Sequence, residues 1–187
     1  MNQKTLLSAK KAWKEAEVIL VGAGAGMGVD SGLPDFRGNS GFWKAYPPLE
    51  KLGIQFEEMA NPYWFIKNPS LAWGFYGHRF NLYRKTNPHL GFKILFERHN
   101  KEKTPMFVFT SNVDGHFQSA GFTEKQILEC HGSLMHFQCL ASCGNPIWQV
   151  KPELILNIDK NSLLANEPLP SCPGCGSIAR PNILMFS

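Results

Sequence analysis

The sequence predicts an α/β fold built on a short parallel sheet. Three observations carry that expectation. Residues 18–21, 106–109 and 127–128 are short, continuously apolar runs. Helical stretches separate them, and unusual residues cluster in the loops that follow each run. An unbroken apolar run marks a strand covered on both faces, and strands alternating with helices favour parallel pairing. In open parallel sheets ligands bind beyond the carboxyl ends of the strands, so those loops mark a site before any chemistry is considered.

The elements follow in order. Residues 4–17 read as an amphipathic helix with Leu6, Leu7, Ala9 and Trp13 on one face. Val18-Ile19-Leu20-Val21 is the first strand, and residues 22–41 form a glycine-rich loop and turn region. Residues 42–100 read as helical fragments broken by Pro47, Pro48, Pro62, Pro69 and Pro88. Met106-Phe107-Val108-Phe109 is the second strand and Ile127-Leu128 centres the third. Residues 135–179 are irregular in pattern and carry four of the five cysteines. Ile183-Leu184-Met185-Phe186 reads as another buried strand.

With 187 residues, 43% hydrophobic and 18% charged, the chain is neither disordered nor collagen-like. Nineteen Lys+Arg against fifteen Asp+Glu give +4, too weak and scattered a charge for a specific nucleic-acid binder. No apolar run approaches a membrane span. Lys10, Lys11 and Lys14 interrupt any signal-peptide core, so a cytoplasmic location and no membrane partner are expected.

The residues after each strand suggest specific chemistry. Gly22-Ala23-Gly24-Ala25-Gly26-Met27-Gly28 lets backbone N–H groups approach a phosphate at the start of a helix. The G-x-G-x-x-G spacing fails in every register and no Gly-Lys-Ser/Thr follows, so the same residues read equally as a tight strand-to-helix turn. In Thr110-Ser111-Asn112-Val113-Asp114-Gly115, Asn112 offers a donor and an acceptor to a carboxamide, and Asp114 can accept from its NH₂. Taken alone, that segment is also an ordinary Asx-turn. His131 in His131-Gly132-Ser133 suits a general base titrating near neutrality, although an isolated histidine reads equally as a hydrogen-bonded loop residue.

Cys139-x-x-x-Cys143 and Cys172-x-x-Cys175, separated by 28 residues, fit one tetrahedral zinc with no open position for a substrate. Cys130 is left over and reads as a packed apolar residue. Tyr76 and Arg79, three apart on a helix, share a face. A guanidinium there could hold a carboxylate bidentately, or Arg79 could be an ordinary solvated helix residue.

Taken in chain order, these segments resemble the motifs of the sirtuins, the NAD-dependent protein deacylases. Residues 24–38, from Gly24 through Asp35-Phe36-Arg37-Gly38, resemble the family's NAD-binding motif. Thr110 to Asp114 with Ala120-Gly121 resembles its Thr-Gln-Asn-Ile-Asp segment and downstream Ala-Gly. His131-Gly132-Ser133 matches its His-Gly-Ser, and Arg180-Pro181-Asn182-Ile183-Leu184-Met185-Phe186 its Arg-Pro-x-Val-Val-x-Phe strand.

The resemblance implies a Rossmann-like NAD-binding domain over 1–134 and 177–187, with a helical insertion at about 42–100 and a zinc module over 135–176. It implies that Gly24, Ala25, Gly26, Asp35, Phe36, Arg37, Ser111, Asn112 and Asp114 bind the cofactor, with His131 as general base. Tyr76 and Arg79 would take the acyl group, as in sirtuins that prefer succinyl, malonyl or glutaryl lysine. Cys139, Cys143, Cys172 and Cys175 would hold a structural zinc. The expected partners are NAD and an acyl-lysine peptide or protein.

Two departures stand out. Gly28 replaces the family's usual serine, and Ser111 replaces a glutamine that reaches the nicotinamide ribose. The family's later Gly-Thr-Ser and Asn-containing loops are absent, so the resemblance implies an incomplete sheet truncated at its C-terminal side. Residues 183–186 would be a central strand of the parallel sheet, whose edge predicts poor solubility unless something covers it. The functional expectation is an NAD-dependent lysine deacylase. An NAD hydrolase or ADP-ribosyl transferase, and a catalytically inactive NAD- and zinc-binding fragment, stand as alternatives.

Overall fold

The structure, a computed structural model, describes residues 2–34 and 38–186. A three-stranded parallel sheet in the order β1-β2-β3 is formed by β1 (Ile19–Ala23), β2 (Met106–Thr110) and β3 (Ile127–Glu129). Ile19 pairs with Met106 and Ala23 with Thr110, while Val108 pairs with Ile127 and Thr110 with Glu129. All three carboxyl ends therefore meet at one edge of the sheet.

One face of this sheet is packed. Met106 and Val108 are buried against Phe92 of α8 (Leu90–Glu102), Phe117 of α9 (His116–Ser119) and Phe122. The opposite face differs from the expectation of strands covered on both sides. Leu20, Phe107, Phe109 and Leu128 all point to it and are exposed, because no described element lies over them.

The first helix, α1 (Gln3–Glu15), is capped by Asn2, whose side chain accepts from Lys4 N at 3.0 Å. Its apolar stripe is not buried as expected: Leu6 and Leu7 are exposed and only Trp13 packs toward the sheet. Arg98 holds the end of the helix by donating to the carbonyls of Trp13 and Lys14.

The glycine-rich stretch is more helical than its composition suggests, with α2 (Gly26–Val29) and the start of α3 (Gly38–Ala45) inside it. A layer of short helices follows: α4 (Pro47–Lys51), α5 (Phe56–Met59), α6 (Trp64–Lys67) and the long α7 (Pro69–Lys85). Pro47 and Pro69 begin helices, where a missing N–H costs nothing. Asn68 caps α7 by accepting from Leu71 N at 3.1 Å. The core of this layer is aromatic, with Phe42, Tyr46, Phe65, Trp73, Phe75, Tyr76 and Phe80 almost fully buried.

The second sheet is antiparallel, in the order β5-β4-β6. Its centre, β4 (Gly132–Cys139), pairs with β5 (Trp148–Gln149) and with β6 (Ala179–Ile183). Two expectations are corrected here. Residues 135–179 are not irregular at their start, since β4 runs through to Cys139. Residues 183–186 are not a central strand of the parallel sheet: the strand ends at Ile183, pairs antiparallel with β4, and leaves Leu184 and Phe186 exposed. Burial alternates along Ala179-Arg180-Pro181-Asn182-Ile183, the period of a strand packed on one face. Trp73 on α7 donates to the Ala179 carbonyl at 3.0 Å and joins the helical layer to this sheet.

Candidate active site and metal centre

The loops after β1, β2 and β3 open on a cavity of about 700 Å³. Ala25, Ser111, Asn112, Asp114 and His131 line it from the sheet side, and Tyr76, Arg79 and Tyr83 line it from α7. Seven residues singled out from sequence thus share one space. Gly24 and Gly26 build the adjoining turn, in which Met27 N donates to the Gly24 carbonyl at 2.8 Å, without lining the cavity themselves. Asp35, Phe36 and Arg37 lie outside the described residues.

Backbone and side-chain bonds fix the loop after β2. Thr110 Oγ1 donates to the Ala23 carbonyl at 3.2 Å and accepts from Asn112 N at 3.0 Å. Asp114 Oδ1 accepts from His116 N at 2.9 Å, so the expected Asx-turn is present at the foot of α9. It does not use up the site, because Asn112 Nδ2 is buried with no partner among the described residues. A buried amide without a partner is costly unless a ligand or water satisfies it. Asn112 is therefore preformed to meet an acceptor.

His131 is held from both sheets. Cys130 N donates to the Thr110 carbonyl at 2.9 Å, and the His131 carbonyl accepts from Leu184 N at 2.9 Å. Cys130 itself is exposed, not packed as its apolar character suggested; it shares the uncovered sheet face with Leu128. Glu129 lies on the inner side, where burial pushes its carboxyl up to about 7, against the hydrogen bonds from Gln118 and Ser133.

The α7 wall is apolar with a buried charge. Arg79 is 8% exposed, so the solvated reading of this residue is excluded. Its Nε and Nη2 donate to the Tyr83 hydroxyl at 3.1 and 2.9 Å, and its guanidinium lies 5.4 Å from the Phe75 ring centroid. Tyr76 stacks on Phe65, and its hydroxyl is buried with no partner among the described residues. Burial raises the Tyr76 pKa well above its ordinary value, so it is a neutral donor. Tyr83 escaped the sequence reading, although its spacing of four from Arg79 and seven from Tyr76 places it on the same helical face.

The four cysteines converge at the far end of β4. Their sulfurs all lie within 4.8 Å of one another, with Cys139–Cys175 and Cys143–Cys172 at 3.6 Å. A disulfide requires about 2.05 Å. A tetrahedral zinc with bonds of about 2.3 Å sets its sulfurs about 3.8 Å apart, and the donor set fits that geometry. Among the described residues no other group of this kind is present.

The Sir2 family model matches residues 24–187. The chain belongs to the Sir2 family. It is 33% identical over 177 residues to NAD-dependent protein deacylase 1 of Caldanaerobacter subterraneus, covering 95% of this chain and 64% of that protein. It is 30% identical over 191 residues to the mitochondrial NAD-dependent protein deacylase sirtuin-5 of Canis lupus familiaris, covering 95% and 58%. A solved complex of a Sir2 homologue with NAD superposes with a TM-score of 0.71 at 30% identity, covering 100% of this chain and 62% of the other. The chain thus spans about three-fifths of the length of these Sir2 relatives. Among the described residues no helix is long and apolar enough to cross a membrane.

Proposed function

We propose that this Sir2 chain acts as an NAD-dependent lysine deacylase, with a preference for acyl groups that end in a carboxylate. The observation that carries the reading is the single cavity shared by Asn112, Asp114 and His131 on one side and the buried Arg79 and Tyr76 on the other. In this reading residues 1–134 and 177–187 belong to the NAD-binding part and residues 135–176 to the zinc module, with β4 running from one into the other and pairing with β6.

In this reading Gly24, Ala25 and Gly26, with Asp35, Phe36, Arg37 and Ser111, hold NAD. Asn112 gives its Nδ2, which has no partner among the described residues, to the nicotinamide carboxamide, and Asp114 accepts from the amide NH₂. Held that way, nicotinamide leaves as the acyl oxygen of the substrate attacks C1′ of its ribose. His131 then takes a proton from a ribose hydroxyl, whose oxygen attacks the acyl carbon. The C–N bond to lysine breaks, the amine leaves, and water opens the remaining adduct to O-acyl-ADP-ribose. Positioning two substrates in one cavity supplies most of the acceleration. Zinc would be structural, tying Cys139 at the end of β4 to Cys143, Cys172 and Cys175. Four thiolate ligands call for a reducing compartment, and the proposed location is the cytoplasm.

The test is nicotinamide release from NAD by the purified chain, with and without succinyl-lysine or acetyl-lysine peptide. Release that requires peptide, favours succinyl-lysine and is abolished by His131→Ala at unchanged zinc content is expected. Peptide-independent release would make the chain an NAD hydrolase, and no release would leave it a binding module.

A further inference from the structure

We propose that Tyr83 is a specificity-determining residue of the acyl site, holding Arg79 in place and offering its own O–H to the terminal carboxylate of the acyl chain. The proposal rests on the carboxylate-acyl reading above.

Arg79 and Tyr83 lie one turn apart on α7, and Tyr76 lies one turn before Arg79, so the three side chains share a face. All three line the cavity. An arginine and a tyrosine at this spacing are commonly a solvated surface pair. Here they are 8% and 6% exposed, so their contact is part of the cavity wall.

The Tyr83 oxygen accepts from both Nε and Nη2 of Arg79, at 3.1 and 2.9 Å. Those two donors form one edge of the planar guanidinium, and gripping an edge fixes the plane as well as the position. Two N–H groups occupy the lone pairs of the phenolic oxygen. Its own hydrogen is thereby turned away from the cation, and Tyr83 lines the cavity. A hydroxyl polarised by a neighbouring cation is a strengthened donor, suited to an ionised acceptor.

The wall therefore carries the guanidinium that Tyr83 holds, the Tyr83 O–H, and a Tyr76 O–H with no partner among the described residues. A carboxylate has the oxygens to accept them, whereas an acetyl group ends in a methyl that leaves these donors unsatisfied. Sites built to hydrogen-bond a substrate group discriminate strongly against analogues that lack it. Tyr83 thus contributes to the discrimination directly and through Arg79.

Fluorescence anisotropy of labelled succinyl-lysine and acetyl-lysine peptides on the full zinc-loaded chain measures the preference without requiring turnover. Tyr83→Phe keeps the ring and removes only the oxygen; Tyr83→Met serves if the phenylalanine variant does not fold, as judged by zinc content and thermal unfolding. The wild-type chain should bind succinyl-lysine more tightly than acetyl-lysine, and Tyr83→Phe should shrink that ratio about tenfold, the loss expected for one charge-assisted hydrogen bond. If Arg79→Met abolishes the preference while Tyr83→Phe keeps or sharpens it, the role of Tyr83 is overturned and the carboxylate reading stands. If the wild-type chain shows no preference, the carboxylate reading falls and the proposal falls with it.

Discussion

The backbone N–H of Leu184 donates to the carbonyl of His131 at 2.9 Å. This bond carries the antiparallel sheet one step past Ile183 and pins the residue proposed as general base. The preceding residue, Cys130, is pinned from the parallel sheet by its own bond to the Thr110 carbonyl. The geometry of His131 is thus set where the two sheets meet.

That bond belongs to the backbone, because the Leu184 side chain is 71% exposed. Leu184→Ala keeps this N–H and should leave thermal stability close to wild type. Because Leu184 lines the cavity, that variant is the reference for the side-chain contribution to nicotinamide release. Leu184→Pro removes the N–H and should slow release about tenfold, at a stability cost of about 1 kcal/mol. Parallel assays of the two variants check this, and equal rates would show that the bond does not position His131.

Gly132 follows directly and tolerates no side chain. Its φ is +77°, and an added Cβ would stand 2.1 Å from the Asn182 carbonyl oxygen. A left-handed conformation and a backbone clash act together, so Gly132→Ala should destabilise the fold by at least about 2–3 kcal/mol. Urea unfolding measures the loss. Gly144, with φ of +85° and open space around its Cβ position, should cost only the conformational part.

What the sequence made legible follows from how local each signal is. Asn112, Asp114 and His131 stand directly after strands, where chain order alone fixes position, and all three reach the cavity. The cysteine pairs were legible because ligand spacing within a turn is local chemistry. The partner of the strand at residues 179–183 is not legible in the sequence, because Ile183-Leu184-Met185-Phe186 is apolar throughout and such a run carries no information about what it pairs with. Its antiparallel pairing with β4 joins distant residues, from Cys139 with Ala179 to Gly132 with Ile183. Arg79 was ambiguous for a related reason: its burial comes from packing of the aromatic helical layer, which helix periodicity alone does not reveal.

Glu129 makes stability depend on pH. Burial holds its carboxyl up at about 7, with Glu124 and Asp114 pushing in the same direction. The unfolded value is about 4.3, so between these limits the folded chain holds more protons than the unfolded one. Stability from this group is therefore present at low pH and is lost as the pH rises toward and through 7. Allowing for solvent screening, the loss should be about 1–2 kcal/mol. Glu129→Gln cannot ionise and should flatten that part of the curve, which urea unfolding at pH 5 and pH 8 would show. An unchanged slope in the variant would mean that another group carries the dependence.

The exposed face of the parallel sheet carries a testable consequence for association. Leu20 pairs with Phe107 and Phe109 with Leu128, so four large apolar side chains lie side by side, 72, 40, 46 and 48% exposed. Isolated surface leucines are ordinary, but a contiguous apolar patch on a sheet favours association. The exposed apolar surface lies on this face of the parallel sheet, as well as at Leu184 and Phe186. The chain should self-associate in a concentration-dependent way in sedimentation velocity runs. Leu20→Lys with Phe109→Lys should shift it toward the monomer, since both positions point away from the packed face and the charges would stay in water. Zinc content and the cavity should be unaffected, because neither residue lines the cavity or touches the cysteine cluster. A double variant that associates as strongly as wild type would place the sticky surface elsewhere, with the exposed Leu6 and Leu7 of α1 the next to substitute.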